Sequence, residues 1–332
     1  MSYKYHSNRS VFLDEVLEKR GWIRATAEEK ADFGMWATHN DRDRDSAIKL
    51  YEKSKTDQMD NKRYFYKHLL EKELLDNIPE TYLTWGEIVE ARDSGKFHDE
   101  NGKEDGRLWF LKHATSTEGK HVWCYHNLKE LEVFATRNGI MNSYVVQREV
   151  DKMKLLVGYK VTFRIYVLIW EGKMYIYKTY TGKFHPRPYN RVSLERDVHV
   201  ECAATGVVFP FRGDTWEEVH SASFEEIKEV CRTVVGSFIP KLVEDSDKDI
   251  NAHQKDGSYA AHTNKYSLLG LDFIIDQDYK PWLIEINTYP FLWDQNPLVI
   301  GIKKKLLNDL FDFVINPRTT GIDVQMGDFE EL

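Results

Sequence analysis

Three oxygen-bearing side chains stand within a densely apolar stretch, YSLLGLDFIIDQDYKPWLIEIN (266–287). It reads as two strands, 268–275 and 281–287, with Asp276, Gln277, Asp278 and Tyr279 as turn chemistry between them. Glu285 and Asn287 are two apart and so share one face of their strand. A hairpin closing symmetrically about the 278–279 bond sets Asp272 opposite Glu285 on that same face. Phe273, Ile275, Trp282, Ile284 and Ile286 are then expected to point the other way. Opposed like charges on a sheet cost about 0.2–1 kcal/mol, and more where water is excluded. A divalent cation removes that cost. Two carboxylates and an amide form an all-oxygen donor set suited to magnesium shared with phosphate oxygens. The bland alternative is an exposed sheet face carrying three unrelated polar residues.

Two other stretches carry charge in a pattern. Between two short strands runs K-H-A-T-S-T-E-G-K-H-V (112–122), whose small and hydroxyl residues can wrap a phosphate with backbone N–H groups. Lys112 and Lys120 would add point charges, although the same composition suits an ordinary hairpin loop. In YKVTFRIYVLIW (159–170), Val161, Phe163, Ile165, Val167 and Ile169 take one face, and Lys160, Thr162 and Arg164 share the other. His121, Cys124 and His126 lie close together but lack a fourth ligand for zinc. H-E-x-x-H, G-x-S-x-G and Walker lysine motifs are absent from the sequence.

The elements that must position these groups alternate between strand and helix. Helices are expected over 10–24, where Val11, Phe12, Val16 and Leu17 form a stripe that Gly21 ends, and over 62–78, with Phe65, Leu69, Leu70 and Leu74. Further helices are expected at about 127–138, 224–243 and 298–314, the last ending before Pro317. Strands are expected at 108–112, 122–125, 144–150 and 159–170, with a hairpin partner at 173–184. Phe33 and Trp36 suggest short N-terminal elements. Residues 92–107 read as a surface loop, 244–264 as a long mobile loop near the site, and the tail as weakly ordered.

The 332 residues suffice for one large domain or two to three small ones, with 42% hydrophobic and 30% charged residues, as in soluble globular proteins. A net charge of −8 disfavours a general nucleic-acid binder. No apolar run reaches 18 residues and the N-terminus has no apolar core, so neither a membrane span nor secretion is expected. Three widely spaced cysteines, Cys124, Cys202 and Cys231, suggest reduced thiols in a cytoplasmic protein.

The run G-x-D-F-x-x-D-x-x-x-K-P-W-L-x-E-x-N-x-x-P resembles the terminal metal-binding hairpin of the tubulin–tyrosine-ligase-like branch of the ATP-grasp enzymes. It stands here as Gly270, Asp272, Phe273, Asp276, Lys280, Pro281, Trp282, Leu283, Glu285, Asn287 and Pro290. The resemblance assigns Asp272, Glu285 and Asn287 to magnesium on ATP. It extends to R-G-W and the D-F-x-x-W segment near the N-terminus, to I-P-E-T-Y-L (78–83), and to Lys62 as a nucleotide-proximal lysine, a solvated helix-start lysine being the alternative. The 112–122 loop is similar to the family's K-P-x-x-x-x-x-G-x-G-I loop through Lys112 and Gly119, with Lys120 beside them. His113 and His121 replace its proline and second glycine. Gln147, Arg148, Glu149 and Val150 fall at the hinge whose backbone meets adenine. Lys160 and Arg164 fall on the lysine and arginine of G-x-K-x-x-x-R, near phosphate or ribose and near the γ-phosphate. Lys183 falls on an arginine used for an acceptor or amino-acid carboxylate.

Departures cluster on the acceptor side: Thr162 replaces an acidic residue, and His199, Val200, Glu201 and Cys202 stand where the family has H-L-T-N. The resemblance implies an α/β (α+β) ATP-grasp fold of three subdomains with ATP between the central and C-terminal sheets. It places an N-terminal subdomain at 1–85, a central one at 86–150, a C-terminal one with the metal hairpin at 151–316, and a tail at 317–332. The implied function is ATP-dependent carboxylate–amine ligation through an acyl phosphate, with Arg164, Lys183 and Glu285 as catalytic residues. The cofactors would be ATP and magnesium, and the partners an amino acid and tubulin or another protein tail. A cytoplasmic, cytoskeleton-associated setting follows. Ligation of free amino acids or small peptides, and a nucleotide-binding scaffold without turnover, are the alternatives.

Overall fold

The apolar runs Val161–Trp170 and Lys265–Ile275 lie side by side in the middle of a large sheet, almost wholly buried. Strands without polar alternation need cover on both faces. The computed structural model describes residues 2–7, 11–26, 28–35, 46–98, 102–116, 119–138, 141–201, 214–244, 264–292, 296–319 and 323–332. Trp36, Cys202 and the expected loop at 245–263 lie outside the described residues.

Along the chain, β1 (Lys4–Ser7), β2 (Ile23–Arg24), β3 (Ala31–Met35) and β4 (Ser46–Leu50) form a parallel array. A separate four-stranded sheet follows: β5 (Thr81–Tyr82), β6 (Trp109–His113), β7 (Val122–Tyr125) and β8 (Tyr144–Arg148). It has its own core of Tyr82, Ile88, Phe97, Trp109, Leu111, Leu128, Leu131 and Val146. Then come β9 (Val161–Trp170), β10 (Lys173–Tyr177), β11 (Thr181–Phe184), β12 (Lys265–Ile275), β13 (Pro281–Asn287) and β14 (Phe329–Glu331). They join β1–β4, through the parallel pairing of β12 with β4, into a sheet of ten strands among the described residues.

Each face of that sheet has its own core. Val161, Phe163, Ile165, Val167 and Ile169 meet the long helix that begins at Asp214 and the helix Lys62–Glu71. Tyr166, Leu168 and Trp170 meet the helices Val11–Glu18 and Pro297–Leu310. On this second face the strand turns polar toward its start, through Arg164 and Thr162 to Lys160. The apolar core ends there.

Several expectations are corrected. The helix over 62–78 stops at Glu71. Glu73 takes φ +58°, Leu74 N–H donates to the Leu69 carbonyl and Glu73 N–H to that of Leu70. That is a Schellman stop built without glycine, so Leu74 lies outside the helix. The partner at 173–184 is two strands, β10 on one half of β9 and β11 on the other. The C-terminus, expected to be weakly ordered, supplies β14 to the free edge of β10, and Phe329 is buried. The helix from 297 runs on past Pro317 to Thr319. A π-type turn at Phe311–Ile315 precedes that proline, as one at Cys231–Val235 precedes Pro240. Widening the helix ahead of a proline relieves the clash of its ring with the preceding turn.

The hairpin β12–β13 pairs Asp272 with Glu285, but not by symmetric closure. Nearest the turn, Ile275 faces Pro281 and Phe273 faces Leu283; an irregularity then takes up one residue, Ile284. The Asp276 carboxylate sets the turn, accepting from the N–H groups of Asp278 and Lys280 and from Trp282 Nε1. Trp282 and Ile284 therefore lie with Ile274, on the Asp272 face, against Val150 and Met153. Phe273, Ile275 and Ile286 point the other way, and Leu283 takes the place expected of Trp282.

Candidate active site

Asp272 and Arg164 are directly opposed on β12 and β9 and form a buried two-pronged ion pair, Nε–Oδ1 2.5 Å and Nη2–Oδ2 2.7 Å. Lys183 on β11 reaches the same Oδ1 at 3.4 Å. Burial opposes charge on Asp272, but the two cations outweigh it and hold the carboxyl well below the usual range. Burial likewise opposes the Arg164 charge, and Asp272 more than restores it. The arginine stem passes over Gly270. A Cβ there would lie 2.8 Å from Pro290 Cβ and 3.1 Å from Arg164 Cδ, so only glycine fits.

Asn287 Nδ2 lies 3.2 Å from the Gly270 carbonyl, 3.4 Å from Asp272 Oδ2 and 3.5 Å from Glu285 Oε1. Two carboxylates thus converge on one amide, whose oxygen reaches the same spot by a flip of the amide plane. This all-oxygen set fits a magnesium ion. The protein's own cations neutralise it here: Arg164 and Lys183 at Asp272, and Lys62 at Glu285 Oε2, 3.2 Å away.

Across a cleft stand more cations. Lys62 begins the helix Lys62–Glu71, capped by Asn61, and its Nζ also donates to the Ser116 carbonyl at 3.0 Å. Lys112 on β6 donates to Gln147 Oε1, and Gln147 Nε2 donates to Thr81 Oγ1 at 2.9 Å. Burial and the charges of Lys62 and Lys160 pull the Lys112 ammonium down to about 7, against the attraction of Glu285. Lys160 donates to the His199 carbonyl at 2.9 Å and lies over the Phe110 ring. The cleft, lined by Lys62, Phe65, Ile78, Lys112, Gln147 and Ile284 among others, lies between the small sheet and the hairpin of the large one. Ile284 is shared with the apolar wall of Val150, Met153 and Ile274.

Arg148 and Glu149, also expected at the site, turn their side chains to other partners. The Arg148 side chain points away, to Asp105, with its guanidinium over Trp109 and Phe97. Glu149 is tied to the Leu108 N–H, the Tyr189 hydroxyl and Arg191. The N–H groups of Arg148 and Glu149 already bond Glu80 and Leu108 carbonyls. Thr162 sits opposite Lys183. Gly119 takes φ +68°, Lys120 is exposed, and His121 takes φ +53°, the backbone form for which the family's second glycine is suited. Cys124 and Cys231 are free thiols, and among the described residues no three of His, Cys, Asp and Glu cluster closely enough to hold a metal. Two neighbours escaped the sequence reading. Asp60, whose carboxyl is raised by burial despite Lys62 beside it, bonds the Thr288 N–H; Arg196 bonds the 119–122 loop. Neither lies in a motif.

The tubulin-tyrosine ligase family model matches residues 39–206 and 216–322, most of the chain. The chain belongs to the tubulin–tyrosine ligase family. It is 25% identical to the "probable alpha-tubulin polyglutamylase Ttll1" of Tetrahymena thermophila, covering 100% of this chain and 92% of that one. It is 24% identical to the "probable tubulin polyglutamylase TTLL2" of Homo sapiens over 91% of this chain and 54% of that one. A Rattus norvegicus relative, "probable tubulin polyglutamylase TTLL9", is 24% identical over 70% and 59%. The chain thus spans little more than half the length of the human and rat proteins. Among solved structures, the C-terminal domain of K. lactis Pby1, "an ATP-grasp enzyme interacting with the mRNA decapping enzyme Dcp2", superposes with a TM-score of 0.62 at 16% identity, covering 99% of this chain and 98% of that one. The fold is that of an ATP-grasp enzyme, and the family makes the protein an ATP-dependent ligase. No described helix is long and apolar enough to cross a membrane.

Proposed function

We propose that the protein adds glutamate to a carboxylate of an acidic protein tail, tubulin being the tail its relatives' names point to. The observation that carries the reading is the meeting, across one cleft, of Lys62, Lys112 and Lys160 with the Asp272, Glu285, Asn287 and Arg164 constellation. Lys112, whose ammonium is pushed down by burial and by the charges of Lys62 and Lys160, stands in a site prepared for a polyanion. In this reading the triphosphate lies along the lysines, and the adenine against the wall of Val150, Ile274 and Ile284.

A carboxylate oxygen of the acceptor attacks the γ-phosphorus and ADP leaves; the amine of glutamate then attacks the acyl carbon, loses a proton, and phosphate departs with the carboxylate oxygen. Magnesium, held by Asp272, Glu285 and Asn287, would neutralise charge on the β- and γ-phosphates. Arg164 faces the transferred phosphoryl group and releases one prong of its Asp272 pair as charge develops there. Lys183, in partial contact with solvent beside it, takes the carboxylate of the incoming amino acid. No residue becomes covalently attached, so positioning carries most of the catalysis. Each of the twenty amino acids, offered with ATP, magnesium and a tubulin-tail peptide, tests this by mass spectrometry. Addition of glutamate supports the reading. Product formed from free amino acids without the peptide would replace it with the small-molecule alternative.

A further inference from the structure

The segment from Arg196 to Glu201 plays no part in the chemistry above, yet it grips the phosphate loop. Arg196 donates from Nη2 to the Gly119 carbonyl at 2.8 Å and from Nη1 to the Val122 carbonyl at 2.7 Å. Its Nε donates to Glu201 Oε1 at 2.8 Å, which fixes the plane of the guanidinium. Val200 closes on the same spot: a Cβ on Gly119 would lie 3.2 Å from Val200 Cγ1 and 3.4 Å from the Val200 carbonyl oxygen. His199 of this segment also accepts from Lys160. One short stretch therefore contacts both the loop and a cation of the cleft.

A carbonyl near phosphate is repulsive, and an N–H is attractive. In a trans peptide the two point in opposite directions. By drawing the Gly119 carbonyl toward itself, Arg196 sets the Lys120 N–H of the same peptide facing away from it. We propose that Arg196 is a positioning residue for ATP, which orients the Gly119–Lys120 peptide so that its N–H is presented to phosphate. The proposal rests on the reading of the 112–122 loop as a phosphate loop. Only arginine has the fork for two carbonyls at once; lysine keeps the charge and loses the geometry.

The test compares the wild type with Arg196→Ala and Arg196→Lys, titrated with a non-hydrolysable ATP analogue plus magnesium and, separately, with adenosine. Both variants are expected to bind the analogue about tenfold more weakly, since charge-assisted hydrogen bonds are lost. Adenosine affinity should be unchanged, and the melting temperature should stay within about 2 °C. Undiminished analogue binding by either variant, or an equal loss for adenosine, would overturn the proposal. Should the alanine variant fail to fold, the lysine variant carries the comparison alone. A wild type that binds adenosine but gains nothing from the phosphates is a separate result, and it would overturn the loop assignment itself.

Discussion

At the scale of single residues, the two site carboxylates differ in what surrounds them, and that difference can be measured. Asp272 is buried against Arg164, whereas the Glu285 side chain keeps 28% of its surface exposed beside Lys62. Glu285→Gln should therefore lower turnover by about 10²–10³-fold, the scale for losing a group that stabilises transition-state charge, with little change in stability. Asp272→Asn should lose turnover and also about 3–5 kcal/mol of stability, because it leaves a buried arginine unpaired. Activity and urea unfolding measured together separate the two, and equal stability losses would contradict the assignment. Lys112 supplies a pH dependence. Its ammonium titrates near 7 in the free protein, phosphate favours the charged form, and binding must raise its pKa. ATP affinity should be flat below about pH 7 and fall roughly tenfold per unit above it. Calorimetry in buffers of different ionisation enthalpy should then show uptake of about one proton at pH ~8.5, absent in Lys112→Met.

At the scale of elements, the backbone settled what residue spacing could not. The sequence pairs Asp272 with Glu285 correctly, but the irregularity at Ile284 is invisible in an apolar run, where either face looks plausible. Trp282 and Ile284 were misplaced for that reason. The Arg164–Asp272 pairing was equally hidden, since it joins strands a hundred residues apart, while the shared face of Lys160, Thr162 and Arg164 was plain from alternation. Arg148 was legible only as a hinge residue by resemblance; its side chain answers to Asp105 and Trp109. The helix stop at Glu73 was unreadable because glycine, its usual mark, is missing. Gly270 shows how tightly the elements meet. Gly270→Ala should push Arg164 or Pro290 aside and cost about 1–3 kcal/mol, with a lower turnover read in parallel. Unchanged activity would mean that Arg164 can move without consequence.

At the scale of the molecule, the site lies where two sheets face each other, and both ends of the chain stabilise the larger one. The N-terminal strands reach it through β4, and the C-terminal β14 closes its far edge. Phe329 packs on Tyr177 and Phe313. Phe329→Ala should cost about 3–5 kcal/mol, the range for a buried aromatic, and should shift the denaturant midpoint without altering the ATP affinity of the folded protein. Edge pairing of this kind leaves little local trace, since a three-residue strand carries no period. The hairpin, by contrast, was legible because polar residues interrupt its apolar run at fixed intervals. In the proposed function, what unites the cleft, the lysines and the carboxylates is transfer of phosphate to a carboxylate before the amide forms. The most direct measurement follows the oxygen. With ATP, magnesium, glutamate and a tail peptide labelled with oxygen-18 in its carboxylates, the account predicts one labelled oxygen in each phosphate released. Unlabelled phosphate accompanying amide product would contradict the acyl-phosphate route.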